Sequence, residues 1–236
     1  MKSTSKESII YAYRLAADSG SAPCIYDLVG TPTGLLTLVC CKGGQIRQGK
    51  EINWGMRHII GKKHTKEIAD GLVAVYVMGI YKNKLLYIAE ITKVLSMRDY
   101  FAPNSPYKKR HDYIYDALPD ELNRNDIPKF RRNDNNPDFH PKGKTGRHRR
   151  DWLGKYALIS DCFAYFGKDC KSIPEDFLES LSIPRGYKTF KNDSPENKQV
   201  FDDVKKFLKN FWNFRDIIQN EPHDYLRNQS RKGCGK

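Results

Sequence analysis

Apolar residues along this chain come in short runs that are typical of β-strands. The runs IIYAYRLA within residues 7–17, GLLTLVCC at 34–41 and LVAVYVMGIY at 72–81 are rich in β-branched and aromatic residues. The third run is apolar throughout, which is typical of a strand that is buried on both faces or that closes a barrel. The pattern therefore predicts three strands in this part of the chain.

A β-hairpin is the strongest local prediction. The run at 72–81 is followed by a second apolar run at 85–95, LLYIAEITKVL, and Lys82 and Asn83 supply a short turn between them. Ser96 then has the side chain of a helix N-cap, which predicts a helix that begins in SMRDYF. The preceding segment 45–69 is polar and mixed, and the part around HTKEIADG favours a helix.

The C-terminal part of the chain predicts one strand and one long helix. The strand is WLGKYALISDCFAYFG at 152–167, and the helix spans 195–219 with Ser194 as its cap and Pro195 in its first turn. The apolar residues of that helix lie on one stripe, which we expect to pack on the sheet. They are Val200, Val204, Phe207, Leu208, Phe211, Trp212 and Ile218. The simplest fold is a single α+β domain over residues 1–236, with a mixed sheet curled into a small barrel and helices at its periphery.

Length and composition are those of a folded protein outside the membrane. The chain has 236 residues with 39% hydrophobic and 12% aromatic content. No apolar run reaches the roughly 18–20 residues that span a bilayer. The N-terminal sequence MKSTSKESII lacks the apolar segment of a signal peptide. We therefore expect a soluble, cytoplasmic protein without a membrane partner.

Cysteine and histidine spacing does not favour a metal or a cofactor. No two cysteines have the C-x-x-C spacing of a zinc ribbon, and the six histidines form no known ligand motif. Without a secretory signal, a disulfide framework is not expected either. Most of the cysteines are best interpreted as small buried thiols, and we expect no metal and no cofactor.

The charge balance favours a polyanionic partner. Lys and Arg number 41 against 28 Asp and Glu, which gives a net charge of +13. Such a balance suits nucleic acid or a small phosphate-bearing ligand, and it also occurs in proteins that are basic only for solubility. The charges cluster in a Pro-, Asn- and Arg-rich loop at 103–150, in YKKRHDY and in KGKTGRHRR. The residues predicted to contact a nucleic-acid backbone are Lys108, Lys109, Arg110, Lys142, Lys144, Arg147, Arg149 and Arg150. The alternative is a solvated loop.

Several motifs resemble a known family. They are Y-x-Y followed by DSGxAP, LxTLxxCK, Arg47, LLYIAEITKVLSMRDYF and LISxxFxYFG. Together they resemble the nucleotide-modification-associated domain, second family, over residues 9–115 and 150–185. The resemblance implies a PUA-like fold, the barrel of the ASCH, EVE and YTH domains, in bacterial or phage systems that make, read or exclude modified bases. The chain departs from the family pattern at Asp70-Gly71-Leu72, where a Gly-Asp-Trp turn is usual, and in an insertion at 48–69.

The candidate nucleotide-binding residues follow from these motifs. The small-residue loop Asp18-Ser19-Gly20 suits a base edge, because a carboxylate accepts from an exocyclic amine. The equal alternative is a capped turn in which Gly20 supplies a positive φ. Lys42 and Arg47 suit phosphate contacts. Cys41 is a candidate nucleophile only if a neighbouring base lowers its pKa, and a packed thiol is the better interpretation.

Aromatic residues near strand ends are candidates for stacking on an extruded base. They are Tyr113, Tyr115, Trp152, Tyr165 and Phe166. The alternative is that they pack in the core, and we expect one or two of them to face a pocket.

Two functions from different classes therefore stay open, with a third possibility beside them. One is a module that binds a nucleobase, with the basic loop on the nucleic-acid backbone. The other is an enzyme acting on nucleotides or nucleic acid, in which acid–base pairs come from five candidates. These are Asp18, His111, Asp112, His148 and Asp161. Spacing alone brings no two of them within hydrogen-bond reach. The third is a binder of small nucleotides that needs no polymer.

Overall fold

Two β-sheets share one core in the computed structural model of this protein. The structure describes residues 7–18, 22–40, 42–47, 50–52, 55–116, 131–132, 151–184, 186–211, 217–218 and 222. Within these ranges the architecture is mixed α+β, as the sequence predicts. The helices that the structure describes do not combine the length and the apolar character that a membrane crossing requires.

Helices are interspersed among runs of strands in the described part of the chain. The described strands are β1 Glu7–Leu15, β2 Cys24–Tyr26, β3 Pro32–Leu38, β4 Gln45–Arg47, β5 Lys50–Ile52, β6 Val73–Tyr81, β7 Lys84–Glu90, β8 Lys93–Ser96, β9 Tyr115–Asp116, β10 Arg131–Arg132, β11 Tyr156–Ser160, β12 Cys162–Tyr165, β13 Lys171–Ser172, β14 Tyr187–Lys191 and β15 Ile217–Ile218. The α-helices that lie wholly within the described residues are α1 Met56–Ala69, α2 Met97–Tyr100, α3 Glu175–Leu181 and α4 Pro195–Lys209, and residues 151–153 are helical as well.

The larger sheet has seven strands and the smaller one has four. The seven-stranded sheet has the order β14-β1-β6-β7-β12-β15, with β13 also paired to β7. In it β1 is parallel to β6, whereas β14 and β7 run antiparallel to their neighbours. The four-stranded sheet has the order β2-β3-β11-β8, and β4–β5 and β9–β10 form separate two-stranded pairs.

The predicted hairpin is confirmed as β6–β7. Lys82 and Asn83 have φ angles of 48° and 62°, and positive φ at both central residues is what a tight two-residue hairpin turn requires. The hairpin places two lysines, Lys82 and Lys84, at the end of the sheet where β6 ends.

The expected barrel is not closed within the described strands, because two predicted strands are each split between the sheets. The run 85–95 leaves the seven-stranded sheet after Glu90 and joins the four-stranded sheet at Lys93. The start of the predicted strand 152–167 is helical up to Leu153 and becomes extended only at Tyr156. The rest of the run makes the same crossing in reverse at Asp161, whose backbone N–H donates to the Thr92 hydroxyl at 3.3 Å. The two crossings lie side by side and connect two open sheets around a shared core.

The core between the sheets contains aliphatic and aromatic side chains from both. Ile9, Tyr11 and Tyr13 of β1 share it with Leu36 and Leu38 of β3. Helix α1 contributes Met56, Ile60 and Ile68 to the same core, so the sequence prediction of a helix in 45–69 is confirmed.

Helices cover the outer face of the seven-stranded sheet. Phe201, Val204 and Leu208 of α4 pack with residues of α3 and with Ile10 of β1. Ser194 caps α4 and Pro195 lies in its first turn, as predicted, whereas the helix ends at Lys209 and not near residue 219.

An aromatic layer covers the outer face of the four-stranded sheet. Tyr100, Phe101, Tyr113, Tyr115 and Trp152 form one buried cluster with residues of that sheet. Short helix α2 introduces this segment, and the Ser96 hydroxyl accepts from the Asp99 N–H at 3.0 Å, which confirms the predicted N-cap.

Candidate functional site

Tyrosines from neighbouring strands form a row across the seven-stranded sheet. Tyr13 on β1 is in register with Gly79 on β6, Gly79 with Tyr87 on β7, and Tyr87 with Tyr165 on β12. All three tyrosine side chains belong to the core between the sheets and are buried. The row lies near the end of the sheet at which β1 and β6 both end.

Asp18 extends this row as a buried carboxylate. It lies three residues after the end of β1 and is fully covered, and the Tyr165 hydroxyl donates to its Oδ1 at 2.6 Å. The hydroxyls of Tyr13 and Tyr87 lie 2.8 Å apart. This hydrogen bond thus connects the loop after β1 to strand β12, although the two residues are 147 positions apart in the sequence.

Burial keeps the hydroxyl and thiol groups near Asp18 protonated. Desolvation, followed by the charge of Asp18, raises the pKa of Tyr165 well above its usual range. Burial likewise raises the pKa of Tyr87. The pKa of Cys170 is raised to about 12, first by burial and then by Asp18. Tyr165 is therefore a hydrogen-bond donor at neutral pH, and Cys170 is a neutral thiol and not a nucleophile.

Lys42 adds a positive charge beside the row. Its ammonium nitrogen lies 4.7 Å from the centre of the Tyr13 ring and donates to the Arg14 carbonyl at 3.2 Å. Its backbone has a φ of 52°. Of the base-binding residues predicted from the sequence, Asp18, Lys42 and Tyr165 are thus brought to one end of the sheet.

Five further basic residues lie at this end beside Lys42, and the sequence did not predict them as binding residues. We name as the basic end the six residues Arg14, Lys42, Lys82, Lys84, Lys168 and Lys171. Their position follows from the register, since Lys84 begins β7, Lys171 pairs with Leu85, and Arg14 donates to Asn83 of the hairpin turn at 2.6 Å. Asp169 lies among them. Lys82, Lys84 and Lys168 are exposed.

Some predicted residues lie outside the described part of the chain. They are Ser19, Gly20, Cys41, Lys142, Lys144, Arg147, His148, Arg149 and Arg150. Arg47 ends strand β4, and its side chain also lies outside the description.

All five candidate stacking residues are buried, and those other than Tyr165 pack away from the tyrosine row. Tyr113, Tyr115 and Trp152 belong to the aromatic layer, where the Tyr115 hydroxyl donates to Asp151 at 3.0 Å. Phe166 faces the opposite side of the sheet from Tyr165, with its ring centre 5.7 Å from that of Phe211. In the structure these side chains serve as packing, so the proposals below do not use them.

The cluster at 107–113 divides into exposed and buried charges. Lys108 and Lys109 are exposed. Arg110 is buried, and its guanidinium donates to the Cys24 carbonyl at 2.7 Å and to the Thr33 hydroxyl at 2.6 Å. It also lies 3.6 Å from Asp112. Arg110 therefore attaches this segment to the four-stranded sheet.

Two of the acid–base candidates have positions that do not suggest catalysis. The Asp112 carboxylate is fully buried and accepts from Tyr100 at 2.7 Å and from Thr37 at 2.5 Å. Asp161 is exposed at the opposite end of the sheet from Asp18. Among the described residues, no group of three or more His, Cys, Asp or Glu side chains is arranged to hold a metal ion.

Comparison with known proteins gives one match. Residues 7–229 match the family model described as nucleotide modification associated domain 2. The matched range includes the basic loop and the last helix, beyond the residues whose motifs carry the resemblance. No curated protein and no solved structure matches the chain.

Proposed function

This chain belongs to the nucleotide modification associated domain 2 family, and from that premise we propose that it binds nucleic acid and recognises a modified base. The proposed site is the basic end together with Asp18. One observation carries the proposal: a buried carboxylate, Asp18, and the residues of the basic end lie at the same end of one sheet. A PUA-like relationship and a bacterial or phage modification system belong to the same proposal, as the family resemblance implies.

The basic end supplies the contacts to phosphate. Lys82, Lys84 and Lys168 are exposed and come from the hairpin turn and from the segment after β12. Lysine ammonium groups that neutralise phosphates release counterions, so affinity from this source falls as salt rises. These contacts position a strand and carry no sequence information.

Asp18 supplies the contact to the base. A carboxylate accepts from the exocyclic amine of cytosine, and Tyr165 fixes the orientation of the Asp18 carboxylate through its hydrogen bond. Because Asp18 is fully covered in the structure, binding of a base requires the side chains around it to rearrange. In this proposal the lysines supply the affinity for the nucleic-acid strand, and Asp18 distinguishes modified from plain bases.

Fluorescence anisotropy with labelled single-stranded oligonucleotides tests the first half of the proposal. Plain and cytosine-modified strands are titrated at about 50 mM and about 200 mM salt. The double variant Lys84→Ala/Lys168→Ala is expected to bind more weakly and to reduce the slope of log K against log salt by about 1.4, two phosphate contacts for a single strand. Its matched control is Lys205→Ala/Lys209→Ala, which removes the same charge from helix α4. The proposal is contradicted if the protein binds no oligonucleotide or if its affinity does not change with salt.

The variant Asp18→Asn tests the second half. It is expected to lose the preference between modified and plain strands while the salt slope stays that of the unaltered protein. Thermal melting of the variant shows whether it is folded, and Tyr165→Phe gives a second way to disturb the same carboxylate. Unchanged discrimination in both folded variants would contradict a role of Asp18 in base recognition.

A further inference from the structure

A separate cavity of about 300 Å³ lies at the other edge of the tyrosine row. Tyr187 on β14 is in register with Tyr13, so it lies on the far side of β1 from Tyr87 and Tyr165. The cavity is formed by α1, β1, β14 and the start of α4. Its polar lining includes Tyr11, Lys63, Tyr187, Thr189, Lys191 and Asn197. None of these residues belongs to the basic end.

The side chains that line the cavity carry a net positive charge. Lys63 comes from α1 and Lys191 from β14, and within the described part of the chain neither ammonium group has an ion-pair partner. The one acidic side chain among the described lining residues is Asp193, whose Oδ1 accepts from the Asn197 amide at 2.8 Å. Two lysines against one carboxylate favour an anionic ligand.

A chain of hydrogen bonds lies behind one wall of the cavity. The Tyr11 hydroxyl lies 3.0 Å from Nε2 of His64, and Nδ1 of His64 lies 2.6 Å from the Glu67 carboxylate. Because a carboxylate only accepts, Nδ1 carries the proton and, in the neutral ring, Nε2 accepts from Tyr11. This chain joins β1 to α1 behind the cavity.

The front wall offers an aromatic face. The Tyr187 ring centre lies 5.9 Å from that of Tyr11, and Tyr187 is only partly buried, unlike the tyrosines in the middle of the row. Flat aromatic rings stack on such faces whatever their hydrogen-bonding pattern. Thr189 and Asn197 add polar side chains at the same wall.

We propose that this cavity binds a mononucleotide, with its phosphate between Lys63 and Lys191 and its base against Tyr187. The volume of about 300 Å³ lies at the lower end of the range for small-molecule sites. A phosphate ion alone has no group to cover the tyrosine ring, and a nucleoside alone has no charge for the two lysines. The inference is independent of the proposed base-recognition site, because the two sites share no residue.

Isothermal titration calorimetry on the full chain tests this assignment. The probes are AMP, CMP, GMP and UMP, the corresponding nucleosides, and inorganic phosphate. At least one nucleotide is expected to bind more tightly than both its nucleoside and inorganic phosphate. The variant Lys63→Ala/Lys191→Ala is expected to weaken that binding by about tenfold or more, and Tyr187→Leu to weaken it without changing charge.

Two controls make the result decisive. Lys205→Ala/Lys209→Ala removes the same charge from the other side of the sheet and is expected to leave nucleotide affinity unchanged. Thermal melting verifies that each variant is folded. The proposal is overturned if no nucleotide binds, if phosphate binds as tightly as the nucleotides, or if both lysine pairs weaken binding equally. It is also overturned if Lys42→Ala abolishes nucleotide binding while Lys63→Ala/Lys191→Ala does not, because the nucleotide would then bind at the basic end.

Discussion

The ring of Tyr87 occupies the space in which a side chain at position 79 would lie. A Cβ atom on Gly79 would be 2.1 Å from Cε1 of Tyr87, the residue with which Gly79 is in register on the adjacent strand. Gly79 also separates Tyr87 from Tyr13, so the two tyrosine rings meet above the glycine and their hydroxyls come within 2.8 Å. The tyrosine row therefore depends on the absence of a side chain at this one position.

The variant Gly79→Ala is expected to destabilise the protein. The added methyl group displaces the buried Tyr87 ring, and overpacking of this kind costs about 1–3 kcal/mol in the free energy of unfolding. Urea denaturation measures the change. Gly186→Ala is the matched control, because its Cβ would meet no atom within 4 Å, and its effect is expected to stay within about 0.5 kcal/mol. Equal losses in the two variants would show that Tyr87 does not fill the space above Gly79.

The hydrogen bond between Tyr165 and Asp18 is expected to appear as coupling in a double-mutant cycle. Tyr165→Phe removes a donor from a buried carboxylate, which costs about 1–3 kcal/mol of unfolding free energy. Asp18→Ala removes the acceptor. The double variant is expected to lose less stability than the sum of the two, by about 0.5–3 kcal/mol, in urea denaturation of all four proteins. Strict additivity would contradict a direct bond between these side chains.

The sequence predicts those elements whose signals are local. Strand β1, the hairpin β6–β7 and the caps Ser96 and Ser194 all follow from neighbouring residues, and the structure confirms them. Strands β2 and β14 and helix α3 were not predicted. They are short or rich in polar residues, so their periodicity is too weak to distinguish them from loops.

The candidate site depends on contacts that local patterns do not contain. Lys84 and Lys171 reach the same end of the sheet only because β13 pairs with the first residues of β7. Arg110 lies in a run of basic residues that is typical of a surface, yet its guanidinium is buried against the Cys24 carbonyl. The loop that contains Asp18 makes it a candidate from sequence, whereas its hydrogen bond to Tyr165 depends on the register of four strands.

Removal of the Asp112 carboxylate is expected to destabilise the protein strongly. Asp112→Ala leaves the guanidinium of Arg110 without its nearby carboxylate in a buried place, and breaking such pairs costs about 3–5 kcal/mol. The comparison variant is Asp202→Ala, at an exposed position of helix α4, with an expected change within about 0.5 kcal/mol. Urea denaturation measures both. A loss for Asp112→Ala as small as that of the comparison variant would show that the Arg110 guanidinium does not need the Asp112 carboxylate in its buried place.

Acidic conditions are expected to destabilise the protein through His58. Its Nδ1 atom is buried without a hydrogen-bond partner among the described residues, and its ring centre lies 5.9 Å from that of Tyr156. Burial, then Lys155 and Lys62, lowers the pKa of His58 below the 6.5 of an exposed histidine. As pH falls below that value, the unfolded chain takes up a proton that the folded chain does not, so the free energy of unfolding decreases.

Urea denaturation at about pH 7.5, 6.5 and 5.5 separates this contribution from those of other groups. His58→Phe is expected to lose stability less steeply between the higher and the lower pH than the unaltered protein does. Lys62→Ala removes one of the charges that lower the pKa of His58, so its pH dependence is expected to lie between the two. An NMR titration of the His58 ring gives the pKa directly. If that ring titrates at or above the value of an exposed histidine, its burial next to Tyr156 does not disfavour the charged form, and the predicted acid sensitivity must come from other residues.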